Sequence, residues 1–200
     1  MYYDTFGRGR GAEWATASHR VELYDVQQSA LFVSESLALE ALANVTGNVV
    51  LCPRLRKQRI AMSAAINRVL WDDGTGIYRQ VDASPARRGF SPVISPTSFY
   101  PMIAGVATAD QALRMVRDHL TNASEFGVEG TVVRAKGSDG FMPSISRADP
   151  SYGDNDYWRG RSWGPLHLLV WLGLSSPAYA NWCACYRVER GPAETERAHA

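Results

Sequence analysis

What this chain lacks narrows its function before any motif is read. It has three cysteines, Cys52, Cys183 and Cys185, in 200 residues, too few for a closed disulfide framework. No histidine lies at zinc-finger spacing from them, and one residue between Cys183 and Cys185 is neither the redox nor the common zinc-pair spacing. They read as small apolar residues, and no metal or cofactor site is expected. Charge of one sign is missing as well. Lys and Arg total 21 against 20 for Asp and Glu, a formal net charge of +1. That balance supplies no field to steer nucleic acid or an anionic membrane, so no nucleic-acid partner is expected and a neutral one fits best. The longest apolar run, Leu166 to Leu174, contains His167 and is too short for a membrane span. Met1-Tyr2-Tyr3-Asp4 shows no charged-then-apolar secretory pattern, which leaves a cytoplasmic location as the default and the compartment otherwise open. Gly7-Arg8-Gly9-Arg10-Gly11 is a single arginine–glycine copy in a neutral protein and reads as a loop. His119 and His167 stand without metal-ligand neighbours and read as structural or surface residues.

What the chain does have is a helical rhythm. Hydrophobic residues make up 46% and charged residues 20%, the composition of one globular domain. Ala30, Leu31, Val33, Leu37, Ala38, Ala41 and Leu42 recur at helical intervals over 26–45, with Gly47 at the expected stop. A helix over about 54–70 follows, with Ile60, Ala64, Ile66, Val69 and Leu70 expected inside. Its start is basic (Arg54, Arg56, Lys57, Arg59), which opposes the helix dipole and calls for local compensation. Asp72-Asp73-Gly74-Thr75-Gly76 before Ile77-Tyr78-Arg79-Gln80-Val81-Asp82 is a hairpin signal rather than a calcium loop. An apolar helix is expected over 96–106. Thr108 and Gln111 form a capping box that opens an amphipathic helix to about Leu120, with Ala112, Met115, Val116 and Leu120 on one face. A long loop spans Gly127 to Asp156, and an apolar helix is expected from Trp158 to Leu174. Apolar helices alternating with amphipathic ones suit the concentric inner and outer helices of an all-α toroid.

The most distinctive stretch is Met142-Pro143-Ser144-Ile145-Ser146-Arg147-Ala148-Asp149-Pro150 with Asp156-Tyr157-Trp158-Arg159-Gly160-Arg161-Ser162-Trp163. Flat aromatics mixed with guanidinium and carboxylate groups suit a sugar, whose C–H faces stack on rings while its hydroxyls take hydrogen bonds. The same residues also suit plain packing, with Trp158 and Trp163 in a core and Arg159 paired to Asp156. Composition alone favours packing.

Those motifs, together with Leu23-Tyr24-Asp25-Val26, Leu70-Trp71-Asp72…Gly76-Ile77-Tyr78…Val81-Asp82 and Ser95-Pro96-Thr97-Ser98-Phe99-Tyr100-Pro101-Met102…Gly105, resemble glycoside hydrolase family 63 in the same order. Its relatives include mannosyl-oligosaccharide glucosidases, mannosylglycerate hydrolase-like enzymes and, more distantly, trehalases. The resemblance implies part of an (α/α)6 toroid of the six-hairpin glycosidase type over residues 1–174, with 175–200 as a divergent tail. It also implies a carbohydrate substrate and hydrolysis, with inversion, of an α-linked glucoside or mannoside in the complete domain.

In an inverting enzyme one carboxylic acid protonates the leaving oxygen, and a second carboxylate activates water. By the resemblance, the acid belongs to a Gly-x-Asp-Asn-Ser-Pro stretch expected upstream of Met1. The base belongs to a Glu-Asn-Tyr-like segment expected beyond the chain, since Glu189, Glu194 and Glu196 read as solvated charges. No residue here is therefore expected to be a catalytic carboxylate, with Asp4 as a weak substitute. Tyr157, Trp158, Arg159 and Trp163 are the expected sugar-facing residues, with Asp25, Phe99 and Tyr100 beside them. Gly160 is expected to allow close backbone approach. Asp156 is expected to brace the loop, and Arg147 and Asp149 either face the sugar or brace the same loop. A non-catalytic carbohydrate- or protein-binding remnant is the alternative. Inner helices without neighbours would expose Leu168, Leu169, Val170, Trp171 and Leu172, so self-association is expected.

Overall fold

The computed structural model describes residues 14–15, 20–21, 23–83, 88–129, 132–133 and 142–179. Two short strands, β1 (Trp14–Ala15) and β2 (Arg20–Val21), pair antiparallel, and β3 (Leu23–Tyr24) leads into α1 (Val26–Val45). Asp25 launches that helix by accepting the Gln28 backbone N–H on its carboxylate at 2.7 Å, which satisfies one of the orphan donors of the first turn. Gly47 follows at φ 68°, a left-handed position where glycine carries no steric cost.

α2 (Leu51–Val69) packs along α1 as its partner. The buried stripe of α1 is Val26, Ala30, Val33, Ser36, Glu40 and Ala43. The expected interior positions Leu37 and Leu42 instead face outward, at 48% and 60% exposure, and Ala38 and Ala41 are exposed as well. The reason lies across the interface. Glu40 accepts Arg56 Nε at 2.6 Å and Arg59 Nη2 at 3.0 Å, so the buried stripe brings its one carboxylate to the cationic start of α2. This pairing is the compensation that the basic helix start requires. Within α2, Leu55 and Ile66 are buried, whereas Ile60 and Ala64, expected inside, are exposed.

The hairpin forms at the expected place, from β4 (Trp71–Asp72) and β5 (Ile77–Tyr78), with Trp71 opposite Tyr78. Asp72 organises the turn, accepting the Gly74 N–H, the Thr75 hydroxyl and Arg79 Nη1. The chain then departs from one continuous strand. β6 (Val81–Asp82) leaves the hairpin to lie between β3 and β7 (Gly89–Phe90).

A 3₁₀ helix over Pro96–Met102 is wholly buried. It stops short of the expected Val106, because Pro101 removes a backbone donor and Gly105 turns the chain at φ 62°. The capping box is present: Thr108 Oγ1 accepts the Gln111 N–H, and Gln111 Oε1 accepts the Thr108 N–H. It opens α3 (Ala109–Met115), which widens into a π turn over Val116–Leu120. Ala112, Met115, Val116 and Leu120 are buried, the face read from the sequence. The strands β8 (Val128–Glu129) and β9 (Val132–Val133) pair next.

α4 (Gly164–Leu174) begins at Gly164 and not at Trp158. Tyr157 and Gly160 both have positive φ, 42° and 112°, which no helix admits, and Pro165 suits a first turn. α4 then lies on the buried 3₁₀ helix so closely that a Cβ on Gly173 would sit 3.0 Å from Met102 Cβ. Of its expected exposed face, Leu168, Trp171 and Leu172 are exposed, while Val170 is buried. The core gathers Val26, Tyr78, Phe99, Met102, Met115, Leu120 and Phe126 between these elements. Among the described residues no helix is long and apolar enough to cross a membrane.

Candidate functional site: the aromatic loop before the last helix

The segment from Met142 to Trp163 is cross-braced by its own backbone. Ser144 donates its N–H to the Arg161 carbonyl at 2.9 Å, and its hydroxyl accepts the Gly160 N–H at 3.3 Å. Asp156 and Arg159 exchange backbone hydrogen bonds of 3.2 and 2.7 Å, closing a tight turn around Tyr157 and Trp158. Asn155, at φ 44°, and Tyr157 both occupy left-handed space without being glycine, a conformation that costs of order 1–3 kcal/mol and that surrounding contacts must hold. At Gly160 a Cβ would lie 2.6 Å from the Tyr152 carbonyl oxygen, so the backbones approach there as only glycine allows.

Three rings cluster on this frame. Tyr157 lies 5.2 Å from both Trp158 and Trp163, edge to face, and the two indoles are 4.7 Å apart. Trp163 donates its indole N–H to the Tyr157 carbonyl at 3.0 Å. Tyr157 is half exposed, and Trp158 and Trp163 reach partly into the core. Beside them Arg159 donates Nε to Asp154 at 2.9 Å and Nη2 to Asp156 at 2.7 Å. The structural pairing of Arg159 with Asp156 is thus real, and the rings pack on one another while keeping an open side.

Arg147 and Asp149 make bracing contacts. Arg147 Nη1 reaches the Glu125 carbonyl at 3.0 Å and its guanidinium covers the Tyr152 ring. Asp149 accepts both the N–H and the hydroxyl of Ser151. Asp25 caps α1. Phe99 and Tyr100, expected beside the sugar, are 1% and 0% exposed and belong to the core, where Phe99 meets Phe126 edge to face at 5.4 Å. Burial pushes the Tyr100 phenol up to about 12. Its oxygen, with Gln80 Oε1 and Ser98 Oγ, is buried with no hydrogen-bond partner among the described residues. Asp4 lies outside the described residues.

Sequence reasoning missed Asp154, Tyr152 and Glu125, and gave Ser144 no role beyond its place in the motif. Asp154 sits in the same loop as Arg159, but nothing in its spacing marks it above Asp156. Glu125 acts through both its carbonyl, on Arg147, and its carboxylate, on His119, and nothing in its spacing reveals either. An open depression lined by Val50, Pro53, Arg54 and Lys57 shares no residue with the loop. Among the described residues no group of three or more His, Cys, Asp or Glu could hold a metal ion.

Comparison with known proteins gives consistent results. A family model described as the mannosylglycerate hydrolase MGH1-like glycoside hydrolase domain matches residues 1–197. The cytosolic neutral trehalase of Kluyveromyces lactis is 34% identical over 127 residues, 64% of this chain and 15% of that protein. The cytosolic neutral trehalase of Saccharomyces cerevisiae is 28% identical over 115 residues, 57% of this chain and 14% of that protein. Among solved structures, the GH63 mannosylglycerate hydrolase from Thermus thermophilus in complex with glucose superposes with a TM-score of 0.64 at 20% identity. That match covers 84% of this chain and 38% of the other. Neutral trehalase Nth1 from Saccharomyces cerevisiae gives 0.61 at 16% identity, over 83% of this chain and 30% of that one. The mostly helical fold is that of the six-hairpin glycosidases, and the chain spans well under half the length of these relatives.

Proposed function

Because the chain belongs to the family of mannosylglycerate hydrolase MGH1-like glycoside hydrolase domains, we propose that its loop from Met142 to Trp163 recognises the sugar of an α-linked glucoside or mannoside. The complete domain hydrolyses that bond with inversion. The observation that carries this reading is the three-ring cluster with half-exposed Tyr157 beside an arginine held by two carboxylates. Rings of this kind cover the apolar face of a pyranose, and Arg159, fixed in place by Asp154 and Asp156, meets its hydroxyls at little entropic cost.

Hydrolysis needs an acid at the leaving oxygen and a base about 6.5–9.5 Å away to activate water. Neither Gly-x-Asp-Asn-Ser-Pro nor Glu-Asn-Tyr, the motifs that carry these groups in the resemblance, occurs in the 200 residues. In this reading the loop supplies recognition, and the acid and base come from sequence outside these residues. The second reading is a carbohydrate- or protein-binding remnant of the fold.

The test is hydrolysis of α-glucosides, mannosylglycerate, glucosylglycerate and trehalose by the purified chain, with Arg159→Ala and Asp156→Ala beside it. The expected result is no turnover by any of them. Turnover by the parent that disappears in the variants would show that the chain carries its own acid and base, with Asp4 the next residue to change.

A further inference from the structure

His119 stands where three segments meet. It lies on the π turn after α3 and is 6% exposed. Its Nδ1 is 2.8 Å from a Glu125 carboxylate oxygen, and its Nε2 is 2.8 Å from the Thr75 carbonyl oxygen in the β4–β5 turn. A carbonyl oxygen only accepts, and an ionised carboxylate only accepts. A neutral imidazole has a single N–H and can serve one of the two; the imidazolium serves both.

We infer that His119 is a protonated clamp joining the β4–β5 turn to the Met142–Trp163 loop, and that loss of its proton releases the joint. The route to the loop runs through Glu125. While its carboxylate holds His119, its carbonyl accepts the Arg147 backbone N–H at 3.1 Å and Arg147 Nη1 at 3.0 Å. Arg147 covers the Tyr152 ring, and the Tyr152 carbonyl lies against Gly160 in the aromatic turn.

The other charges around the clamp are already engaged. On the π turn Asp118 is paired with Arg117. On the hairpin Asp72 is paired with Arg79, and Asp73 with Arg114. Glu125 is the carboxylate that meets the ring. Burial disfavours the charged imidazole, but the Glu125 carboxylate and the Thr75 carbonyl outweigh it and hold the pKa above its ordinary value. A raised histidine pKa sets the sign. The clamp's stabilisation is complete below the unfolded value of about 6.5 and is lost as pH rises through the higher folded value. The clamp does not depend on the sugar reading, since every contact is internal to the chain.

NMR on the uniformly ¹⁵N-labelled full chain tests it. The expected spectrum shows two imidazole N–H protons on His119 at about pH 6 and a titration above about 6.5. The Arg147 amide, corrected for intrinsic exchange, should lose about tenfold in protection between about pH 6 and about pH 9. Glu125→Gln, which keeps an acceptor but removes the charge, should bring the titration down. His119→Gln should abolish the pH dependence at Arg147; should it not fold, the parent and Glu125→Gln titrations still decide. A single ring N–H at about pH 6, a titration at or below about 6.5, or Arg147 protection that ignores it would overturn the inference.

Discussion

The Trp163 indole N–H donates to the Tyr157 carbonyl oxygen at 3.0 Å, so the aromatic cluster is tied by one of its own members. The bond spans the turn from a residue in left-handed backbone space to the residue that precedes α4. Trp163→Phe keeps a ring in place and removes the donor. It should cost about 1 kcal/mol of stability and weaken sugar binding further than that loss of stability explains. Denaturant unfolding and a sugar titration on the same variant check both parts.

Gly160 offers the sharper backbone test. At φ 112°, with a Cβ destined to fall 2.6 Å from the Tyr152 carbonyl, Gly160→Ala should destabilise by about 1–3 kcal/mol. Gly153→Ala, where a Cβ meets nothing within 4 Å, serves as the control. Similar denaturation midpoints for the two would contradict the close approach.

Acid should act through Glu40. The Arg56 hydrogen bond lowers its pKa most, burial opposes, and Arg59 lowers it further, for a net depression. A depressed carboxylate contributes stability that is present above its unfolded value of about 4.3 and lost as pH falls through the lower folded one. Melting temperature should therefore drop on acidification in the parent, and less steeply in Glu40→Gln. Parallel slopes would mean the pair does not link α1 to α2 energetically.

The sequence announced features that are decided locally. Gly47 marks the end of α1 because chain reversal is settled within a few residues, and Thr108 with Gln111 shows its capping box for the same reason, whereas the helix cap at Asp25, expected beside the sugar, went unread. The outward turn of Leu37 and Leu42 was not legible, because it depends on Arg56 and Arg59 arriving from another helix. The late start of α4 was hidden too, since nothing in the composition of Tyr157 and Trp158 reveals left-handed backbone. At the site, the grouping of Tyr157, Trp158, Arg159 and Trp163 could be read from one motif, whereas Asp154 and Glu125 act through distances that only the fold sets. Phe99 and Tyr100, expected at the sugar, are core residues because their 3₁₀ helix is covered on every side.

Self-association is the expected behaviour of the isolated chain. Phe32, Leu39 and Leu42 on α1, and Leu168, Trp171 and Leu172 on α4, are each roughly two-fifths to three-fifths exposed. Contiguous apolar surface is normally covered, and each helix presents three such side chains. Light scattering should show oligomers or aggregates that Trp171→Glu diminishes. A monodisperse parent monomer with a cooperative melt would contradict it.

The most direct test of sugar recognition is to follow the indole N–H resonances of the ¹⁵N-labelled chain while adding trehalose, glucosylglycerate or mannosylglycerate. Assignment comes from Trp158→Ala and Trp163→Phe. The expected result is a weak, saturable shift of the Trp158 and Trp163 signals, with Trp71 and Trp171 unmoved, and its loss in Trp158→Ala and Arg159→Ala. If no glycoside moves these two signals, or if Trp158→Ala binds as the parent does, the loop does not recognise the sugar.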